Sequence, residues 1–196
     1  MARDRDTNGR RVVTAGHCTF LFSSANWNAQ NEAGSWKSIG AGAGTWFAGG
    51  AGDGGVIANS GLSWQRPAPI GMVLWRPVAS IALDYQYPIR GDASGVVGRF
   101  VCRTGMTTGS ECGEISLLNA DNTGELNGVN YTVSGLTEVD MCAAAAGDSG
   151  GPYFKNKKAY GVQSGTQKFG TTSCFEVFQP IRVLKYVFDL DLVLAP

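Results

Sequence analysis

The sequence predicts an all-β protein, a sandwich or barrel of short strands, and three observations carry that expectation. Apolar runs of about four to eight residues recur along the chain, turn-forming Gly, Asn and Ser separate them, and charged side chains are sparse.

Lys plus Arg and Asp plus Glu both number 16, giving a formal net charge of zero at neutral pH. That balance supplies no field to draw the chain to nucleic acid or an anionic membrane, and neither is expected as a partner. Charged residues form 16% of the chain and glycines number 28 of 196, against averages of roughly a quarter and about 7%. Few charges and many glycines suit short strands joined by tight turns, and an extracellular protein that must resist proteolysis. No apolar run approaches the ~20 residues of a membrane span.

Cys18, Cys102, Cys112, Cys142 and Cys174 are many cysteines for a cytosolic chain of this length, and none forms a CxxC pair. Zinc would need closely spaced ligands and more than the single histidine present. Disulfides, and so an oxidising compartment, are expected instead. No metal and no organic cofactor is expected. The segment Met1 to Arg11 is polar and charged, without a signal-peptide pattern. Disulfides without an export signal predict that this sequence begins downstream of a further segment.

In chain order the strand candidates are Arg11–Ala15, Gly55–Ala58, Gly71–Trp75, Val78–Leu83, Val96–Cys102, Gly113–Leu118, Val129–Leu136, Ala159–Gln163 and Cys174–Phe178. Ser38–Gly55 is dense in glycine and reads equally as a linker or as a loop carrying one functional residue. Tyr85–Ala93, with Pro88 and Gly91, reads as a connection between two β halves. One helix is predicted, because Ile181, Leu184, Val187 and Phe188 recur at helical spacing just after Pro180, a good helix-start residue. That stripe is expected to pack on the preceding barrel.

Three short segments carry the candidate chemistry. In Gly147-Asp148-Ser149-Gly150-Gly151-Pro152 a serine between glycines can sit on a tight turn where backbone N–H groups converge. Acyl transfer needs that arrangement to hold a developing oxyanion. A bare G-x-S-x-G is as often a plain turn; the full hexapeptide is far more specific. Thr14-Ala15-Gly16-His17-Cys18 holds the only histidine, suited to act as a base near neutral pH. A lone histidine is by default structural, but a serine in its own specific motif tips the reading to catalysis. Asp53 precedes the strand-like Gly54-Gly55-Val56-Ile57. A buried carboxylate there would hold the imidazole in one tautomer and stabilise its protonated form. Asp84 and Asp92 compete for that role but lie in or near the connection.

TAGHC and GDSGGP, in that order with an aspartate between, resemble the trypsin/chymotrypsin clan. Further segments are similar to its bacterial streptogrisin and α-lytic protease group. Val101-Cys102-Arg103-Thr104-Gly105, through Thr107-Thr108-Gly109 to Cys112-Gly113, resembles that group's disulfide loop. Val133-Ser134-Gly135-Leu136-Thr137 leading to Cys142 resembles the approach to the serine. Gly161-Val162-Gln163-Ser164-Gly165 and Phe175 through Gln179-Pro180-Ile181 resemble the closing strands.

The resemblance implies two packed antiparallel six-stranded Greek-key barrels and a short C-terminal helix. Residues 1–84 would form an incomplete first barrel, 85–93 the connection, and 94–196 the second barrel and terminal helix of one peptidase domain. It implies a serine endopeptidase with nucleophile Ser149, general base His17 and orienting acid Asp53. The N–H groups of Gly147 and Ser149 would form the oxyanion hole. Peptide or protein substrates would be cleaved through an acyl-enzyme by a secreted monomer. The substrate's primary side chain would lie between Ala143, Ala144, Ala145 and Ala146 on one wall and Ser164, Gly165 and Thr166 on the other, whose backbone pairs with the substrate. With no carboxylate on the alanine wall and no second histidine, apolar side chains are the expected preference.

The same pattern implies bridges Cys102–Cys112 and Cys142–Cys174, a buried pair of Asp148 with Arg103, and Ser164 near Asp53. It also implies a pro-region and a cysteine-bearing strand ahead of His17. Without that strand Cys18 is expected as a free thiol and the first barrel is expected to have an unpaired edge. The rival readings are a non-catalytic peptide-binding homologue and an unrelated esterase, which would need a strand–turn–helix around the serine.

Overall fold

Alternation of buried and exposed side chains organises the chain into strands. The computed structural model describes residues 1–24, 26–30, 36–47, 49, 51–59, 72–75, 85–169 and 173–195. In chain order they form β1 (Ala2–Asp4), β2 (Arg10–Thr14), α1 (Gly16–Leu21), β3 (Asn26–Gln30), β4 (Trp36–Trp46), β5 (Gly54–Ala58), β6 (Met72–Trp75) and β7 (Tyr85–Pro88). There follow β8 (Phe100–Gly105), β9 (Gly109–Leu126), β10 (Val129–Val139), β11 (Pro152–Lys155), β12 (Lys158–Phe169), β13 (Ser173–Pro180), α2 (Ile181–Val187) and β14 (Leu190–Leu192).

The second half closes into a barrel in the order β10-β13-β12-β11-β8-β9, all neighbours antiparallel. On β9, Gly113 and Ile115 point inward while Glu114 and Ser116 face water. Val101, Ile115, Val139, Met141, Tyr153, Tyr160 and Phe178 fill the interior, with the Tyr153 and Phe178 rings stacked at 4.4 Å. Burying each large apolar side chain stabilises this barrel by roughly 1.5–3 kcal/mol.

The first half is a six-stranded sheet in the order β14-β1-β2-β5-β4-β3, open among the described residues. β14 covers the edge of β1, with Ala2 opposite Leu192 and Asp4 opposite Leu190, so the two ends of the chain lie side by side. Ala2, Val56 and Leu190 share one apolar cluster beneath them. Neither of these short strands was expected from the sequence.

Other segments also differ from expectation. Much of the glycine-dense stretch is neither linker nor loop: β4 runs through it to Trp46, and Asp53 stands directly ahead of β5, which opens at Gly54. The segment expected as a connection opens with β7, which pairs with β6. The strand expected from Val96 begins only at Phe100, because the Arg99 N–H turns back to the Val96 carbonyl at 3.0 Å. The candidate strand Val78–Leu83 lies outside the described residues.

Helix α2 buries Ile181 and Leu184 against Val162 of the barrel, and Val13, Trp46 and Leu192 of the first sheet pack on the same cluster. The helical stripe therefore wedges between the halves rather than covering one of them. Asp92 fastens it from outside, pairing with Lys185 at 2.6 Å and Arg182 at 3.2 Å.

Candidate active site

His17 stands on the first turn of α1, directly after β2. Gly16 lets that turn approach the sheet: a Cβ there would lie 2.7 Å from the Gly54 backbone and from the Trp46 carbonyl oxygen. Thr19, fully buried, donates to the Gly16 carbonyl at 3.1 Å and accepts from Thr45 at 2.8 Å. The helix start is thereby locked onto β4 and β5, and Asp53 comes under the imidazole.

Asp53 is 1% exposed. Its Oδ1 accepts the His17 backbone N–H at 2.8 Å, and its Oδ2 meets His17 Nδ1 at 2.8 Å. Ser164, from β12 of the other half, donates to Oδ2 at 2.6 Å. With Nδ1 held by the carboxylate, Nε2 is the ring nitrogen left for a substrate or nucleophile. Burial alone lowers the His17 pKa; the bonds to Asp53 and to the Cys18 side chain outweigh it and raise the value from 6.5 to about 10. The ring lies 6.1 Å from Phe47, which leans on Tyr131 of the barrel at 5.0 Å.

Ser149 lies on the turn between β10 and β11. Gly147 has φ +99° and Gly150 φ +82°, a region that L side chains rarely adopt. The Asp148 N–H donates to the Ala145 carbonyl at 3.0 Å, and the Gly150 N–H to the Gln163 carbonyl at 2.8 Å. A Cβ on Gly150 would strike Thr14 Oγ1 at 2.1 Å and approach the Ala15 nitrogen at 3.2 Å. This contact seats the serine turn against the segment that carries His17. Among the described residues no hydrogen bond joins the Ser149 hydroxyl to the imidazole, and none takes up the N–H of Gly147 or Ser149. Two donors and a hydroxyl are thus free at one turn beside the part-buried His17–Asp53–Ser164 array. After the turn the chain continues as strand β11, not as the helix an esterase elbow requires.

Beneath the turn lies a cluster that the sequence revealed only in part. Arg103 is fully buried and lies 3.5 Å from Asp148, the partner expected for it. Its closer partner is Glu176 on β13, with Nε to Oε2 at 2.7 Å. Asp148 is held chiefly by Thr108, whose hydroxyl donates at 2.6 Å, and by the N–H groups of Thr107, Thr108 and Ala145 at 2.8, 3.1 and 3.0 Å. Burial raises its pKa, and these donors outweigh it, so the carboxyl sits below the ordinary range. Burial, with Glu176 beside it, pushes the Tyr153 phenol well above its usual value. Glu176, Gln179 and Thr108 were not singled out from sequence. Glu176 and Gln179 lie in a stretch of β13 that is buried on both faces, Glu176 turned to Arg103 and Tyr153 in the barrel and Gln179 to Asp53 of the first half.

The structure bridges Cys102 to Cys112 and Cys142 to Cys174, and Cys18 is free. Ala143 to Ala146 lead into the serine turn, and Ser164 to Thr166 lie within β12.

The family model named Trypsin matches residues 74–187. Streptogrisin-C of Streptomyces griseus is 33% identical over 184 residues, covering 92% of this chain and 35% of its own length. This chain therefore spans about a third of that relative. Serine protease 2 of Streptomyces fradiae is 36% identical over 163 residues, covering 79% of this chain and 77% of its own. Among solved structures, a glutamic acid-specific serine protease that uses a histidine triad in substrate binding superposes with a TM-score of 0.71 at 26% identity. That match covers 95% of this chain and 88% of the other.

Proposed function

The chain belongs to the trypsin family, among the bacterial serine proteases of the chymotrypsin clan, and from that premise we propose that it is a secreted serine endopeptidase acting through an acyl-enzyme on Ser149. The observation that carries the reading is the part-buried array His17–Asp53–Ser164 set beside the Ser149 turn. Asp53 holds the imidazole by Nδ1, so Nε2 takes the Ser149 proton as the hydroxyl attacks the peptide carbonyl, then returns it to the leaving amine. The free N–H groups of Gly147 and Ser149 receive the developing oxyanion. Water then attacks the acyl-enzyme by the same proton route.

The primary side chain lies between Ala143–Ala146 and Ser164–Thr166, and its preference is apolar. Supporting this, the alanines bring no charge and the only histidine is His17, whereas the solved glutamic acid-specific relative uses a histidine triad in substrate binding. Two disulfides suit an oxidising, extracellular setting. Labelling with a serine-directed fluorophosphonate tests the reading: modification of Ser149, lost in His17→Ala, is expected. An unlabelled, folded protein would return the chain to the class of non-catalytic homologues.

A further inference from the structure

We propose that Glu176 forms the floor of the primary specificity pocket and sets which side chains it admits; the proposal rests on the peptidase reading and deepens it. Three placements converge on this residue. In the β12–β13 register Glu176 stands opposite Thr166, the end of the strand wall. Its Oε1 accepts the Ala144 N–H of the alanine wall at 2.7 Å. The Cys142–Cys174 bridge fastens the start of that wall to β13, next but one to Glu176. The side chain is thereby tied to the alanine wall while its backbone pairs with the end of the strand wall, which sets it where the two walls meet.

Its charge is directed inward. Arg103 donates through Nε at 2.7 Å and lies at 3.5 Å through its second amino group, and the Tyr153 hydroxyl donates at 2.9 Å. Glu176 has no exposed surface. A substrate lysine or arginine could reach this carboxylate only by displacing one of those donors, which are themselves buried. One guanidinium also stands against two carboxylates, Glu176 and Asp148. The surplus negative charge beneath the floor opposes an acidic side chain in the pocket. Small uncharged side chains are what remains: the floor blocks long ones, the buried pairing denies cations a partner, and the field rejects anions.

The test is a peptide series varied only at the primary side chain, with kcat/KM measured for wild type, Glu176→Gln and Glu176→Ala. Thermal unfolding and fluorophosphonate titration of Ser149 accompany each. Wild type is expected to favour Ala or Val over Phe, Lys, Arg and Glu. Glu176→Ala opens the floor and should raise the ratio of Phe or Leu to Ala by about tenfold or more. Glu176→Gln keeps the volume and removes the surplus charge, so the ratio of Glu to Ala should rise by a similar factor. Should both variants fail to fold, the wild-type series decides. Cleavage after Phe, Lys or Arg as efficient as after Ala overturns the floor, as does a folded, titratable variant with an unchanged profile. Absence of Ser149 labelling in wild type defeats the peptidase reading, and the floor with it; labelling with a profile indifferent to Glu176 defeats the floor alone.

Discussion

Gln179 accepts the backbone N–H of Asp53 through Oε1 at 2.9 Å, and both residues are buried. The acid beside His17 is thus positioned from β13 of the opposite half, as it is from Ser164 on β12. Removing the acceptor leaves a buried N–H without a partner, a cost of about 1–3 kcal/mol. Gln179→Leu is expected to lose that much by denaturant unfolding and to lower kcat more than it changes KM. A variant with unchanged kcat would separate Gln179 from the positioning of Asp53.

The pH profile follows from His17. Its folded pKa is raised above 6.5, to about 10, and only the neutral imidazole can take the Ser149 proton. Activity is therefore expected to rise with pH through a midpoint above 6.5. The sign for stability is opposite: a raised folded pKa gives a contribution that is fully present below about 6.5 and is lost as pH rises towards about 10. Cys18 contributes to the rise, so Cys18→Ala should move the acid limb of kcat/KM to lower pH. A limb at or below 6.5 in the parent protein would remove this electrostatic account.

Arg103 carries both buried carboxylates of the cluster. Arg103→Ala leaves them uncompensated, and breaking such a pair costs about 3–5 kcal/mol. Replacing the whole triad of charges by apolar residues would cost far less, because no charge is then stranded. The expected signature is a large drop in the denaturation midpoint of the single variant together with slower labelling of Ser149. A change within about 0.5 kcal/mol would show that the pair is not structural.

The bridges Cys102–Cys112 and Cys142–Cys174 leave Cys18 as the free cysteine. Thiol titration of denatured, non-reduced protein should find that single thiol, and peptide mapping should place it at Cys18. Replacing Cys142 and Cys174 together by Ser should cost about 3–4 kcal/mol, the chain-entropy value for a loop of this size. Finding Cys18 in a bridge with any of the other four would overturn the assignment.

Sequence alone determined the all-β class, the serine turn and the histidine segment, because each is written in consecutive residues. Glycines at positions 147 and 150 permit positive φ, and Gly16 permits a close backbone approach, so motif and local geometry coincide. Asp53 was legible by its place ahead of an apolar strand. Ser164 near Asp53 and Asp148 near Arg103 were implied by the resemblance; Gln179 and Glu176 as further partners were not. Arg103 and Glu176 are 73 positions apart, and Asp53 and Gln179 are 126 apart; only barrel closure and the packing of the two halves bring them together. A glutamate on a strand is usually a solvated one, and Glu176 departs from that because β13 turns its Arg103-facing side into the barrel, where water cannot solvate a carboxylate. The pairing of β1 with β14 was equally hidden, since short charged segments such as Ala2-Arg3-Asp4 and Leu190-Asp191-Leu192 carry too little alternation to announce a strand. Their structure is supplied by each other across the full length of the chain, a long-range contact that no local propensity encodes.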